Sequence, residues 1–257
     1  MCELFGVCSQ NIIQANSLLE DFFSHSEKNP DGWGLAVFRR GAVTLEKEPL
    51  KATRSRYLKH RLSESVEGEN IFAHIRAATI GNMDYSNCHP FVWDDAGGRT
   101  WTLVHNGTLF EPDAVTRFSK LQKGTTDSEE LLLYLVDQIN QRILADGTEP
   151  NAEERFQIVD KMMVELSRNN KLNLLIYDGE LMYVHTNYRA SLYEWNQNGT
   201  SVFATKPLRE GAWVPLPMNQ LLAYRAGKRL RCGTPHDNEF LDEEHDINIV
   251  YATYSEL

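Results

Sequence analysis

An α+β fold with mainly antiparallel sheets follows from three features of this 257-residue chain. Short strand-like runs fill both ends of the sequence. Two well-capped helical runs lie between them. Several neighbouring strands are joined by tight Gly-containing turns, which connect antiparallel rather than parallel partners. There is no internal repeat, low-complexity tract or linker, so residues 2–257 are expected to form one domain.

The elements follow in order. Residues 2–7 read as a short apolar strand. Residues 16–23 place Leu18, Leu19, Phe22 and Phe23 at helical spacing. Asn29-Pro30-Asp31-Gly32 is a turn. Residues 33–38 and 42–45 form a hairpin around Arg40-Gly41, and residues 55–63 a helix. Residues 71–79 make a two-faced strand, with Phe72, His74, Arg76 and Ala78 on one side and Ile71, Ala73, Ile75 and Ala77 on the other. Residues 101–104 are a strand running into His105-Asn106-Gly107, where Asn-Gly reads as a tight turn. Thr126 and Glu129 have capping-box spacing before a helix over 131–143, and Asn151 with Glu154 opens a second helix over 152–167. Hairpins then turn at Asp178-Gly179 and Asn198-Gly199. Edge strands follow over 212–217, 220–225 and 228–232, and the acidic stretch 236–246 reads as a surface loop.

Composition narrows the function. The formal net charge is −10. An acidic surface argues against nucleic acid or anionic membrane as the main partner, since phosphate binding needs clustered Lys and Arg. The four cysteines, Cys2, Cys8, Cys88 and Cys232, include no C-x-x-C pair, which fits a reduced compartment rather than a disulfide scaffold or a zinc site. The N-terminal residues lack a basic and apolar leader, and no run of ~18 apolar residues occurs. A cytoplasmic protein is expected.

The chemistry starts at Cys2. If Met1 is removed, one residue carries both a thiol and a free α-amine, whose ordinary pKa of roughly 7.7–8 suits a built-in base. Four more polar motifs lie at predicted strand ends or a helix start: Pro30-Asp31-Gly32-Trp33-Gly34, His74-Ile75-Arg76-Ala77-Ala78-Thr79, His105-Asn106-Gly107 and Thr126-Asp127-Ser128-Glu129. Each has an ordinary structural explanation on its own. Together and in this order, over residues 2–129, they resemble the class II glutamine amidotransferase domain, an N-terminal-nucleophile hydrolase of the stand-alone type.

That resemblance implies a four-layer αββα sandwich with two mainly antiparallel sheets. It also implies hydrolysis of the γ-amide of glutamine to glutamate and ammonia, with no metal or cofactor. The Cys2 thiol would be the nucleophile and its α-amine the base. The Asn106 side chain and the Gly107 N–H would receive the oxyanion. Arg76, helped by Thr79, would hold the substrate α-carboxylate and Asp127 the α-ammonium. Glutamine and larger γ-glutamyl amides share the part these groups hold, so both fit; with glutamine, a separate ammonia-accepting protein is expected. A catalytically silent glutamine-binding regulator is the alternative if Met1 stays.

The chain also departs from the family pattern. Lys28-Asn29 replaces an Arg-Gly, Trp33 stands where a small residue is usual, and Ile80 replaces a His often found in synthase-linked members. Residues 81–87 read as a loop able to close over substrate, and Cys88 and His89 as structural. A metal hydrolase built on His74, His105 and Cys88 lacks ligand pairs of recognised spacing.

Overall fold

Hydrophobic alternation in this chain resolves into two sheets stacked face to face. The computed structural model describes residues 2–78 and 83–241; Thr79, Ile80 and part of the predicted loops at 81–87 and 236–246 lie outside them. The order is β1 (Glu3–Gln14), α1 (Asn16–Ser24), β2 (Trp33–Arg39), β3 (Ala42–Glu48), α2 (Arg56–Ser63), β4 (Glu67–Ile75), β5 (Phe91–Asp94), β6 (Thr100–Thr108), α3 (Asp127–Asp146), α4 (Ala152–Leu166), β7 (Lys171–Tyr177), β8 (Met182–His185), β9 (Tyr193–Gln197), β10 (Thr200–Ala204), β11 (Val214–Pro215), β12 (Leu222–Arg225) and β13 (Lys228–Cys232).

One sheet runs β11-β9-β10-β1-β4-β2-β3 and the other β13-β12-β8-β7-β6-β5. Every described strand pair is antiparallel. Three apolar cores separate four layers. Leu18, Leu19, Phe22, Phe23 and Leu58 of α1 and α2 pack on Phe5, Val7, Trp33 and Ile71 of the first sheet. Leu4, Phe72, Val104, Leu175 and Phe203 meet between the sheets. Leu131, Leu135, Phe156 and Met163 of α3 and α4 cover Trp101, Leu103 and Leu174 of the second sheet. Strand β4 shows the logic residue by residue: Ile71, Ala73 and Ile75 enter the helix-facing core, while Phe72 enters the inter-sheet core. Among the described residues no helix is long and apolar enough to cross a membrane.

Four local expectations need correction. Strand β1 extends to Gln14, with a register shift against β4 between Cys8 and Ile13. Strand β4 ends at Ile75, not at 79. Short strand β5 has no counterpart in the sequence reading. Finally, His105-Asn106-Gly107 is not a turn. All three residues are in β6, opposite Leu174, Asn173 and Leu172 of β7. Gly107 serves the crossing of chains, since a Cβ there would sit 1.8 Å from the Lys171 carbonyl oxygen.

Helix α3 presents the site, and its start is only half a capping box. The Thr126 hydroxyl accepts the Glu129 N–H at 3.3 Å. The Glu129 carboxylate turns away from the cap and accepts the Lys123 and Gly124 N–H groups. Thr126→Ala is expected to cost about 1 kcal/mol. In a chain of this size that corresponds to a melting point lower by roughly 2–4 °C in a thermal unfolding scan. Helix α4 has the complete box, with Asn151 and Glu154 bonding reciprocally.

Candidate active site

Strand β1 lies beside β4, with Glu3 opposite Ile75. That register sets Cys2 against the chain just beyond the end of β4. The Cys2 sulfur is 3.3 Å from both the Ala77 N–H nitrogen and the Ala77 carbonyl oxygen. The Pro30-Asp31-Gly32 turn holds this stretch in place. Asp31 donates its N–H to the Arg76 carbonyl (3.0 Å), Arg76 donates its N–H to Gly32 (2.8 Å), and the Asp31 carboxylate accepts the Ala78 N–H (2.7 Å). Gly34 gives the His89 backbone room, because a Cβ would sit 1.9 Å from its carbonyl oxygen. The turn motif thus buttresses the neighbours of Cys2.

Burial pushes the Cys2 thiol above its ordinary value. The Ala77 N–H and the Arg76 guanidinium pull it down, and the Asp127 carboxylate adds to the rise. A thiol so placed would need a base to act as a nucleophile.

Three buried imidazoles line up behind it. His74 places Nε2 3.1 Å from the His105 carbonyl oxygen, and its ring lies 4.1 Å from that of His89. His105 places Nε2 3.1 Å from the Lys171 carbonyl oxygen and Nδ1 3.0 Å from the Ser128 hydroxyl. Carbonyl oxygens only accept, so both Nε2 atoms carry protons, and the single Ser128 hydroxyl proton is shared between His105 Nδ1 and the Asp127 carboxylate. Ser128 also lies 3.2 Å from Asp127 Oδ1, and the other Asp127 oxygen accepts the Leu109 N–H at 2.8 Å. These contacts fix the Asp127 carboxylate at the positive end of α3.

Burial lowers the His74 imidazole to about 3, from an ordinary 6.5. Burial also lowers His89 and His105, the latter against the pull of Asp127. These groups bind protons less readily folded than unfolded. Stability is therefore full above pH 6.5 and is lost as pH falls from 6.5 toward 3. We expect His74 to remove roughly 1.4 kcal/mol per pH unit in that window, seen as a melting point that drops progressively below pH 6.5.

Cys2 borders two cavities and is, among the described residues, the one common to both linings. The smaller, about 30 Å³, is lined by Arg76, Gly107 and Asp127, with His89 and His105 behind them. The larger, about 210 Å³, is lined by Asn106, Asn173, Lys28, Lys171 and Lys206, with Glu3 between them. Of the residues singled out in the sequence, Cys2, Arg76, Gly107 and Asp127 therefore meet in one pocket, and Asn106 lines the other cavity with Cys2. Leu172 gives its N–H to Asn187 rather than to Gly107, and β5 stops opposite Leu103. The backbone of Gly107 accordingly turns toward a side where no described strand covers it.

The departures also find their places. Trp33 sits in the helix-facing core, with its indole N–H donated to Glu48 at 3.0 Å, away from the cavities. Lys28 and Asn29 border the larger cavity. Cys88 is buried, its sulfur 3.4 Å from the Asp84 carbonyl oxygen, and burial pushes its thiol to about 11. Sequence reasoning missed Ala77, Asn173, Lys171 and Lys206. No local signal marks them, because strand register alone brings Asn173 beside Asn106. Among the described residues, no cluster of three or more His, Cys, Asp or Glu is arranged to hold a metal ion.

Comparison with known proteins gives three kinds of match. The family model for class-II glutamine amidotransferases matches residues 1–195. An uncharacterized protein of Methanocaldococcus jannaschii is 31% identical over 189 residues, which are 74% of this chain and 52% of that protein. The chain thus spans about half the length of that relative. Among solved structures, a predicted glutamine amidotransferase from Pseudomonas aeruginosa superposes with a TM-score of 0.64 at 19% identity, covering 90% of this chain and 100% of that one. The glutamine phosphoribosylpyrophosphate amidotransferase of B. subtilis superposes at 0.66 and 17% identity, covering 90% of this chain and 48% of that one. At these identities the superpositions speak to the fold, the αββα sandwich.

Proposed function

Because this chain belongs to the class-II glutamine amidotransferases, we propose that it cleaves γ-glutamyl amides through a thioester on Cys2, glutamine being the simplest such amide. The observation that carries the reading is the position of the Cys2 sulfur beside a pocket with a guanidinium, Arg76, and a carboxylate, Asp127. A zwitterionic amino-acid end needs one of each.

Met1 is first removed, which frees the Cys2 α-amine. Arg76 takes the substrate α-carboxylate and Asp127 the α-ammonium. The γ-carbonyl then lies over the sulfur. The α-amine takes the thiol proton as sulfur attacks, and the tetrahedral oxyanion is received by the Asn106 amide and the Gly107 N–H. The same proton passes to the leaving nitrogen, the C–N bond breaks, and amine or ammonia departs. Water, deprotonated by the α-amine, attacks the thioester and releases glutamate and the free thiol. Thr79, assigned from the sequence to the carboxylate as well, lies outside the described residues.

The test separates binding from chemistry. Arg76→Gln and Asp127→Asn each remove one charge-assisted contact made equally in ground and transition states. Each is expected to raise KM for glutamine by roughly 10–100-fold, with a smaller change in kcat. Glutamate release gives both constants. An unchanged KM in both variants would remove the assignment.

A further inference from the structure

The sandwich has a second open end, remote from Cys2. The Cys2 cavities lie where β4 and β6 finish and β7 begins, at Arg76, Asn106 and Lys171. A further cavity, of about 220 Å³, lies where β4 and β6 begin and β7 finishes, at Asn70, Thr100 and Tyr177. The chain from Asn70 to Arg76 spans roughly 20 Å at strand spacing. From the walls of this far cavity we infer that it is a second binding site, which takes a free α-amino acid with an apolar side chain. The site is independent of the reading of Cys2 as nucleophile.

Size is the first observation. One water needs ~10–15 Å³ of such space, and drug-sized ligands sit in clefts of roughly 300–1,000 Å³. The far cavity, at about 220 Å³, falls between them, on the scale of a single amino acid. Part of its wall is apolar. Phe38, Val43 and Tyr177 line it, and the Phe38 and Tyr177 rings meet edge to face with centroids 4.7 Å apart. Val43 and Tyr177 are only half-buried, so an apolar side chain laid against them removes more surface from water.

Charge is the second. Arg39 already reaches Glu67 at 3.6 Å. Arg40 and Glu69 line the cavity and form no ion pair among the described residues, with each other or with a neighbour. Arg40 takes φ +52°, followed by Gly41 at +79°, in the kind of two-residue turn that most readily accepts Asn-Gly. The turn thus carries a guanidinium to the cavity at a conformational cost. An open cation and an open anion in one small space suit a zwitterion, its carboxylate on Arg40 and its ammonium on Glu69.

The third observation is an acceptor without a donor. Asn70 pairs with Phe38 across the β2–β4 ladder. Its Oδ1 is buried and has no hydrogen-bond partner among the described residues. Thr102, opposite Tyr177 in the β6–β7 ladder, is fully buried with its hydroxyl equally unpartnered. Open polar atoms are costly in an apolar layer. An ammonium brings three N–H donors, enough for Glu69 and Asn70 together. Water would answer the amide oxygen but leave the two charges and the apolar wall unused.

Isothermal titration calorimetry of the full chain with L-phenylalanine, phenylpropanoate and phenethylamine tests the site, because the last two each lack one charge. We expect saturable binding of L-phenylalanine, and binding of each analogue weaker by at least about tenfold, the worth of one charge-assisted contact. Val43→Trp, which fills the cavity, should weaken L-phenylalanine by a similar factor, as should the conservative variants Arg40→Gln and Glu69→Gln. Asp127→Asn, in the clamp beside Cys2, should leave its affinity unchanged. Absence of saturable binding of both L-phenylalanine and L-leucine overturns the inference and leaves water as the occupant. Analogues that bind as tightly as the amino acid overturn it, since the charges then do nothing. Affinity lost in Asp127→Asn but kept in Arg40→Gln and Glu69→Gln places the amino acid beside Cys2 and overturns it as well. Every readout is binding, so failure here leaves the Cys2 reading standing, and an inactive Cys2 leaves this site standing.

Discussion

Cys2→Ser is expected to lower kcat for any γ-glutamyl amide by at least ~10⁴-fold, the scale seen when a nucleophile is removed and only binding and oxyanion donors remain. Serine is nearly isosteric, so the two cavities persist and KM should move little. The cause is chemical. A buried hydroxyl is far harder to deprotonate than a thiol, and the only base proposed is an ordinary α-amine. The Ala77 N–H is placed to stabilise the charge developing on sulfur. The same argument covers the terminus: protein retaining Met1 presents an amide nitrogen instead of an amine and should be equally inactive. Intact mass identifies the form assayed, and glutamate release measures it. Turnover by Cys2→Ser within tenfold of the unaltered protein would sink the mechanism.

Asn106→Ala should have the next largest effect, a fall in kcat of roughly 10²–10³-fold with KM nearly unchanged. Asn106 lines the larger cavity with Cys2, while Arg76 and Asp127 line the smaller one, and in the proposed reaction it is assigned to the carbonyl oxygen rather than to the amino-acid end. An effect confined to KM would instead make Asn106 a binding residue. Asn106→Asp sharpens the test: shape is kept, but an acceptor replaces the donor, and the loss should be at least as severe.

Much of the fold is legible in the sequence because it is decided locally. The caps at Thr126 and Asn151, the turns at Asp178-Gly179 and Asn198-Gly199, and the helical spacing of Leu18 to Phe23 all act within a few residues. The alternating faces of β4 are read as easily, since side chains there go to different layers. His105-Asn106-Gly107 misleads for the same reason. Asn-Gly has the local character of a turn, and the partner that makes it a strand is 66 residues away, where the Lys171 carbonyl oxygen receives His105 Nε2. Cys2, Arg76, Gly107 and Asp127, which the structure brings to one cavity, are legible as a motif order. The lysines and Asn173 of the larger cavity are not, since each looks like an ordinary strand or surface residue until register places it.

Among the described residues Cys2 alone joins the two cavities, which divides the proposed site into an acyl half and a leaving-group half. The acyl side is crowded: backbone bonds from the Asp31 turn, the buried imidazoles and the start of α3 all constrain it, and a change there disturbs several neighbours at once. The other side is walled by lysine and tyrosine side chains that can be exchanged with the clamp intact. On the proposed reading, selective covalent inhibitors of this protein keep a glutamyl warhead and draw their discrimination from the other cavity, by extending an arm into its larger space. Redesign for a new amide follows the same asymmetry, with substitutions confined to positions 28, 171, 188 and 206.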